Sequence, residues 1–232
     1  QLEMGSNDTE IDQVDQAVVL GLDRLTSSSG WFVPSDGNGG YDHTNSTMDW
    51  HLQTASALEQ GRVQTGLVLN NQLDLERVSA LSNVTLTSFS LGLGLADDLT
   101  AHLRISVQSS DNESRIGLEL FEGGASLKNA RMASTASSTV RMGTELILIT
   151  LEVHDAGRTN ENLVLTEVMA RPISGGPEWI EVYNDNAFAT SLYGWSFNVS
   201  SVSTSNEVLL QEGVISGHSI ALFTGSLSSL EQ

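Results

Sequence analysis

An all-β fold with one short helix at its N-terminal end is what this sequence predicts. Three observations carry that expectation. From Trp31 onward, apolar residues alternate with polar ones in successive runs, the period of a half-buried strand. Short clusters of Gly, Asn, Asp and Ser separate the runs, as turns do. A helical spacing is sustained only once, between Thr9 and Leu25. The expected organisation is a helix-bearing segment over 1–30, a β-sandwich over 31–155 and a second β-domain over 162–232.

In the first segment Ile11, Val14, Val18 and Leu25 fall on one stripe, with Gly21 interrupting the row. Thr9 is placed to cap the N-terminus, and Ser27-Ser28-Ser29-Gly30 ends the helix. Strands follow. Val63, Leu67 and Leu69 occupy odd positions. Val84 and Leu86 are even, then Phe89, Leu91, Leu93 and Leu95 are odd, so the parity change at Thr87-Ser88 predicts a bulge or a tight turn. Leu103, Ile105 and Val107 alternate, as do Ile116, Leu118 and Leu120 before a turn at Glu122-Gly123-Gly124. Glu145 to Val153 (ELILITLEV) is almost continuously apolar, which predicts a central strand buried on both faces. About eight strands with polar turns fit a jelly-roll-like sandwich. The polar stretch from His154 to Asn162 marks its boundary.

After that boundary the chain runs LVLTEVMARPISGGPEWIEVYNDNAFATSLYGWSFN, from Leu163 to Asn198. Glu167, Glu178, Trp179, Ile180, Glu181, Tyr183, Asn184, Leu192, Gly194 and Trp195 give a pattern of acidic strand end, acid-Trp-Ile-Glu strand, Asn, then Leu-x-Gly-Trp. With Gly217 to Phe223 farther on, this resembles the lamin tail domain family. The resemblance implies an immunoglobulin-like β-sandwich and assigns these residues structural work. The residues suggest the same. In Trp179 to Tyr183, Ile180 and Val182 face one way and Trp179, Glu181 and Tyr183 the other. Asn184 suits a positive φ with a bond to its own backbone. Gly194 permits a corner that drops the Trp195 indole into the core. The family continues with further strands past the segment matching Ile220 to Phe223. Two explanations stand for the difference: a longer parent chain, or a strand supplied by a neighbour through β-augmentation.

Composition narrows the chemistry. Twenty-nine Asp+Glu stand against ten Lys+Arg, a net charge of -19, and the only lysine is Lys128. Nucleic acid is not an expected partner, since phosphate binding needs clustered basic residues. There is no cysteine, which excludes disulfides, thiolate metal sites and cysteine nucleophiles. No apolar run reaches the ~18 residues of a transmembrane helix. Ser and Thr number 49, and N-x-[ST] sequons stand at Asn7, Asn45, Asn83, Asn112 and Asn198, which marks them as candidate glycosylation sites of a secreted or cell-surface protein. Loss of an export signal accounts for the start at Gln1; so does a fragment boundary.

One cofactor is suggested. Asp36-Gly37-Asn38-Gly39-Gly40-Tyr41-Asp42 resembles an acidic calcium loop, with Asp36, Asn38 and Asp42 as oxygen ligands, although position twelve is Thr47 rather than Glu. His43 and His51 are read as solvated loop residues, not zinc ligands. Neither a G-x-S-x-G turn nor a G-x-G-x-x-G loop occurs, so no catalytic residue is assigned and a non-enzymatic protein is expected. The expected role is structural or adhesive, as a self-assembling subunit of a filament or coat. The partners are then other copies or other surface proteins. The alternative is a carbohydrate-binding accessory region of a larger secreted hydrolase, with Trp31, Phe32, Tyr41 and Trp50 grouped near the first loop.

The acid excess itself predicts halophilic behaviour. Screening of carboxylate repulsion should raise the melting temperature steadily as NaCl or KCl climbs into the molar range. A melting temperature that stays flat or falls with salt contradicts a halophilic origin.

Overall fold

The computed structural model describes residues 7–157, 163–169, 177–200 and 205–225. Strand predominates, with one long helix at the N-terminal end. That helix, α1 (Asn7–Ser27), begins two residues before Thr9, which therefore lies inside it rather than at its cap. Val14, Val18, Leu22 and Leu25 form its buried stripe. The side chain of Ile11 lies outside the described residues. Gly21 belongs to the buried stripe instead of interrupting it. A Cβ there would stand 3.0 Å from Leu151 Cδ2, so the bare backbone lets the helix lie close against the sheet.

Next come β1 (Gly30–Val33), α2 (Ala55–Gln60) and β2 (Arg62–Thr65), with β1 and β2 paired antiparallel. Within the intervening loop Trp50 is fully buried, its Nε1 donating to the carbonyls of Ser29 (2.9 Å) and Gly66 (3.2 Å). Strands β3 (Val68–Leu69) and β4 (Gln72–Leu73) form a hairpin across Asn70 and Asn71, both at positive φ, the geometry of a tight two-residue turn. Two further short helices follow, α3 (Leu75–Ala80) and α4 (Leu86–Gly92). Helix α4 corrects the expected bulge at Thr87-Ser88. Leu86, Phe89 and Leu93 lie three and four apart and are buried, and Thr85 caps the helix by accepting from Ser88 N at 3.1 Å. Residues of both parities thus share the buried side of one short helix.

The main sheet adds β5 (Thr100–Ser109), β6 (Glu119–Gly124), β7 (Ala133–Met142) and β8 (Glu145–His154) in the order β3-β4-β7-β8-β5-β6. Its inner face carries Ala101, Leu103, Ile105, Val107, Ile147, Ile149, Leu151 and Val153, all buried. Helix α1 packs across β7 and β8, and α4 across β5 and β2. The expectation for β8 holds for position but not for burial. It is central, yet only one side is covered. The outer side carries exposed Leu146 and a run of hydroxyls: Thr135 donates to Glu152 (3.3 Å), Ser137 shares a hydrogen bond with Thr150 (3.0 Å), and Thr139 donates to Gln108 (3.2 Å). Ile116 and Leu118 are exposed and precede β6 rather than belonging to it. Glu122-Gly123-Gly124 is strand, not turn, because both glycines answer crowding. A Cβ on Gly123 would stand 2.5 Å from Ala187 Cβ, and one on Gly124 would overlap the Ala101 carbonyl oxygen.

The remaining strands are β9 (Leu163–Met169), β10 (Glu178–Asn184), β11 (Thr190–Ser191), β12 (Ser196–Ser200), β13 (Ser205–Leu209), β14 (Val214–Ile215) and β15 (Ile220–Gly225). They pair as β15-β10-β9, β11-β14 and β12-β13, all antiparallel. Val182, Leu192 and Ile215, with Ile180, Phe197 and Phe223 against them, make a second and smaller core. One side chain of this region belongs to the first core. Phe188, 1% exposed, meets Phe89 at 4.8 Å and Phe121 at 5.2 Å between ring centroids. Backbone bonds from Ala189 N to Val84 O (3.0 Å) and from Gly217 N to Ser82 O (2.7 Å) flank it.

Asn184 at the end of β10 sets the loop that delivers Phe188. Its side chain is 0% exposed. The amide donates to the carbonyls of Phe188 (3.0 Å), Ile215 (2.9 Å) and Ser216 (3.1 Å). Its oxygen accepts from Asn186 N (3.0 Å) and Thr190 Oγ1 (3.2 Å). The bond to its own stretch of backbone is as expected, but Asn184 is not among the positive-φ residues, so its work is done by the side chain alone. Asn184→Ala leaves three carbonyls without their donor at ~1–3 kcal/mol each. A loss of roughly 3 kcal/mol or more in urea unfolding is expected, against little change for Asn186→Ala at the rim.

Candidate functional site

The acidic loop folds on itself. Asp36 Oδ1 accepts from Asn38 N (2.8 Å) and Gly40 N (2.9 Å), and those N–H groups, Asn38 first, hold its carboxyl below the usual range. Asp42 accepts from Thr44 Oγ1 (2.5 Å), Asn45 Nδ2 (2.6 Å) and Thr44 N (3.0 Å); the Thr44 hydroxyl leads in lowering its pKa. The side chain of Asn38 donates to the Asp36 carbonyl at 3.4 Å. Asp36 thus acts as turn acceptor within a small hairpin closed by the Ser35–Tyr41 bridge, and Asp42 as the cap of the turn that follows at His43–Asn45. Among the described residues no three His, Asp or Glu side chains converge as a metal would need.

A cleft of about 820 Å³ lies where α2, β2 and α4 meet the turn around β11. Its walls bring together residues far apart in sequence: Tyr41, Glu59, Arg62, Leu91 and Trp195. Tyr41 is 46% exposed and Trp195 37%, so both offer ring surface. This corrects the expectation that Trp195 enters the core. Gly194, at φ +83, makes the corner as expected, but the corner directs the indole to the cleft mouth; Gly194 N donates to Leu210 O and Leu210 N to Trp195 O. Thr85, Thr87, Ser88, Thr190 and Ser191 line the cleft as well, with the Thr85 hydroxyl donating to Ser88 Oγ (2.9 Å) and that of Thr190 to Asn184 Oδ1 (3.2 Å). Arg62 lies over the Trp31 ring, 5.9 Å from its centroid, and Trp31 Nε1 donates to Gln64 Oε1 at 3.1 Å. Of the grouped aromatics, Phe32 and Trp50 are core, whereas Tyr41 and Trp31 are not.

A second polar cluster sits on the outer face of the main sheet. Arg104 meets Glu119 at 3.2 Å and Glu122 at 4.0 Å, and His102 Nε2 stands 3.6 Å from Glu122 Oε1. The hydrogen bond with Glu122 raises the Glu119 carboxyl. Burial lowers the pKa of His102, outweighing the opposing pull of Glu152, and the charges of His154 and Arg104 act with it.

The sequons are spread over the surface and the junction. Asn45 and Asn112 are exposed, each hydrogen-bonded within its loop. Asn83 is half-buried at the junction, its Oδ1 accepting from Ser216 Oγ at 2.9 Å. The side chains of Asn7 and Asn198 lie outside the described residues. In the later strands, Glu167 and Glu181 face each other across β9 and β10, and Glu181 accepts from Thr166 Oγ1 at 2.7 Å. Trp179 pairs with Met169 and Thr224 along the same strand. No motif or spacing pointed to Arg77, which is 3% exposed and donates to the carbonyls of Ser29 (2.5 Å) and Met48 (3.1 Å) beside Asp74 (3.4 Å). It ties the start of β1 to the loop that precedes α2.

No family model, no curated protein and no solved structure matches this chain.

The lowered pKa of His102 fixes a sign. Its neutral form is favoured by folding, so its contribution is complete above the unfolded value near pH 6.5 and is lost as pH falls below it toward the folded pKa. In urea midpoints measured between about pH 5 and 8, His102→Gln should flatten this decline and leave the values above it unchanged in slope.

Proposed function

We propose that this chain is a non-enzymatic secreted or cell-surface adhesion protein that binds carbohydrate in the cleft between its two cores. The observation that carries the reading is the cleft wall: the half-exposed rings of Tyr41 and Trp195 line it together with Thr and Ser side chains. Sugar rings present apolar C–H faces to aromatics and hydroxyls to polar side chains, and this lining offers both. Glu59 is the one carboxylate among the lining residues, whereas glycoside hydrolysis ordinarily employs two. In the same proposal, 31–155 is a jelly-roll-like sandwich and 162–232 an immunoglobulin-like domain of the lamin-tail type. Placement of β10 between antiparallel β9 and β15, with the motif residues in register, supports the latter.

Self-assembly is the second reading, favoured by a specific surface. Val164, Leu165, Val168, Ile220 and Leu222 are all exposed on the β15-β10-β9 sheet, whose edge strands among the described residues are β9 and β15. Such an edge accepts another strand unless it is covered.

The two readings separate in solution. Titration with neutral gluco- and manno-oligosaccharides should give saturable heat for the intact protein and a loss of about tenfold in affinity for Trp195→Ala. Sedimentation should show whether mass changes with concentration. Absence of heat with every sugar, together with concentration-dependent mass, favours assembly over carbohydrate binding.

A further inference from the structure

A second hollow of about 470 Å³ is lined in part by the β1–β2 pair. Its lining includes Ser28, Trp31, Met48, Gln64, Asn70 and Asn71, and no residue that lines it carries a charge. In a chain of net charge -19 a wholly neutral hollow is selective: it offers amides, hydroxyls and an indole, and nothing to hold an ion.

The two hollows share one wall. Arg62 and Gln64 stand two apart on β2 and so project from the same face, with Trp31 directly opposite Gln64 on β1. The other face of the pair is buried, through Phe32 and Val63. Arg62 lines the larger cleft, Gln64 and Trp31 line the smaller one, and Arg62 lies over the Trp31 ring. Among the described residues Arg62 has no carboxylate partner, which leaves its guanidinium donors for a ligand. The pair therefore forms a ridge that carries a half-buried indole, a half-buried amide and an exposed guanidinium, running from one hollow to the next.

We infer that the two hollows are one extended site for a neutral, chain-like oligosaccharide, whose middle units cross the Trp31–Arg62–Gln64 ridge. This rests on the carbohydrate reading of the larger cleft and adds to it a requirement for chain length. A short sugar fills the Tyr41–Trp195 cleft alone. A longer one also reaches Trp31 and the Asn70–Asn71 turn, and each added ring contact contributes to affinity until both hollows are filled.

The test is calorimetry on the full chain with neutral gluco- and manno-oligosaccharides, from disaccharide to hexasaccharide. Affinity should rise about tenfold from the shortest to the longest binder. Trp31→Ala should erase the rise. Because Trp31 is half-buried and its loss can disturb the fold, Met48→Arg serves as a second variant. Met48 is exposed at the smaller hollow, and a bulky charge there should block long chains only. If all lengths bind equally and Trp195→Ala weakens them all, the cleft reading stands and the extended site is wrong. The extended site is equally overturned if Met48→Arg leaves hexasaccharide affinity unchanged. If no sugar binds, both fail.

Discussion

The buried amide of Asn184 is the constraint on which the junction depends. A neutral side chain with no solvent contact must find partners for both its donor and its acceptor, and this one finds them on two separate segments, 186–190 and 215–216. Satisfying it fixes the path of the loop after β10. That path presents Phe188 to Phe89 and Phe121, and it sets Ala187 where its Cβ would stand 2.5 Å from any Cβ at position 123. The cleft is the surface consequence of the same geometry. Trp195 and the β11 hydroxyls stand opposite α4 only because the loop between them is held.

The main sheet is built on an asymmetry of its two faces. Inside, aliphatic residues of β8 meet α1 at a distance that Gly21 allows, and those of β5 meet α4. Outside, hydroxyls, Arg104, His102 and two glutamates pair with one another across strands. Cross-strand pairs of this kind contribute modestly to stability, about 0.2–1 kcal/mol each, but they keep the outer face polar and hydrated. The bidentate contact of Arg115 with Glu145, at 2.6 and 3.0 Å, closes the β5–β6 loop over the start of β8.

Much of this was legible where a pattern ran long. The stripe of α1 and the alternation in β5 extend over several turns or pairs, so a single residue such as Gly21 could not hide them. Short elements were not legible in the same way. Leu86, Phe89 and Leu93 satisfy a two-turn helix, while Leu91 and Leu95 extend an apparent alternation, and parity cannot choose between them. Thr85 was the available signal, since a Thr three residues before Ser88 can cap. Gly123 and Gly124 look like a turn because crowding from Ala187, more than sixty positions away in sequence for Gly123, has no local trace. The cleft shares that difficulty: Tyr41, Arg62 and Trp195 come from three distant stretches, and the Leu-x-Gly-Trp motif points to a corner without saying which side the indole takes.

The flanking bonds at Phe188 also bear on what keeps the chain in one piece. The peptide connection between the main sheet and the later strands runs through 158–162. The attachment visible in the structure lies elsewhere: a ring among two other rings, two backbone bonds to the 82–84 segment, and Ser216 on Asn83. Cohesion here is non-covalent. A protease that severed the connecting peptide would therefore yield a nicked protein whose fragments stay associated and migrate together until denatured, rather than two freely diffusing halves.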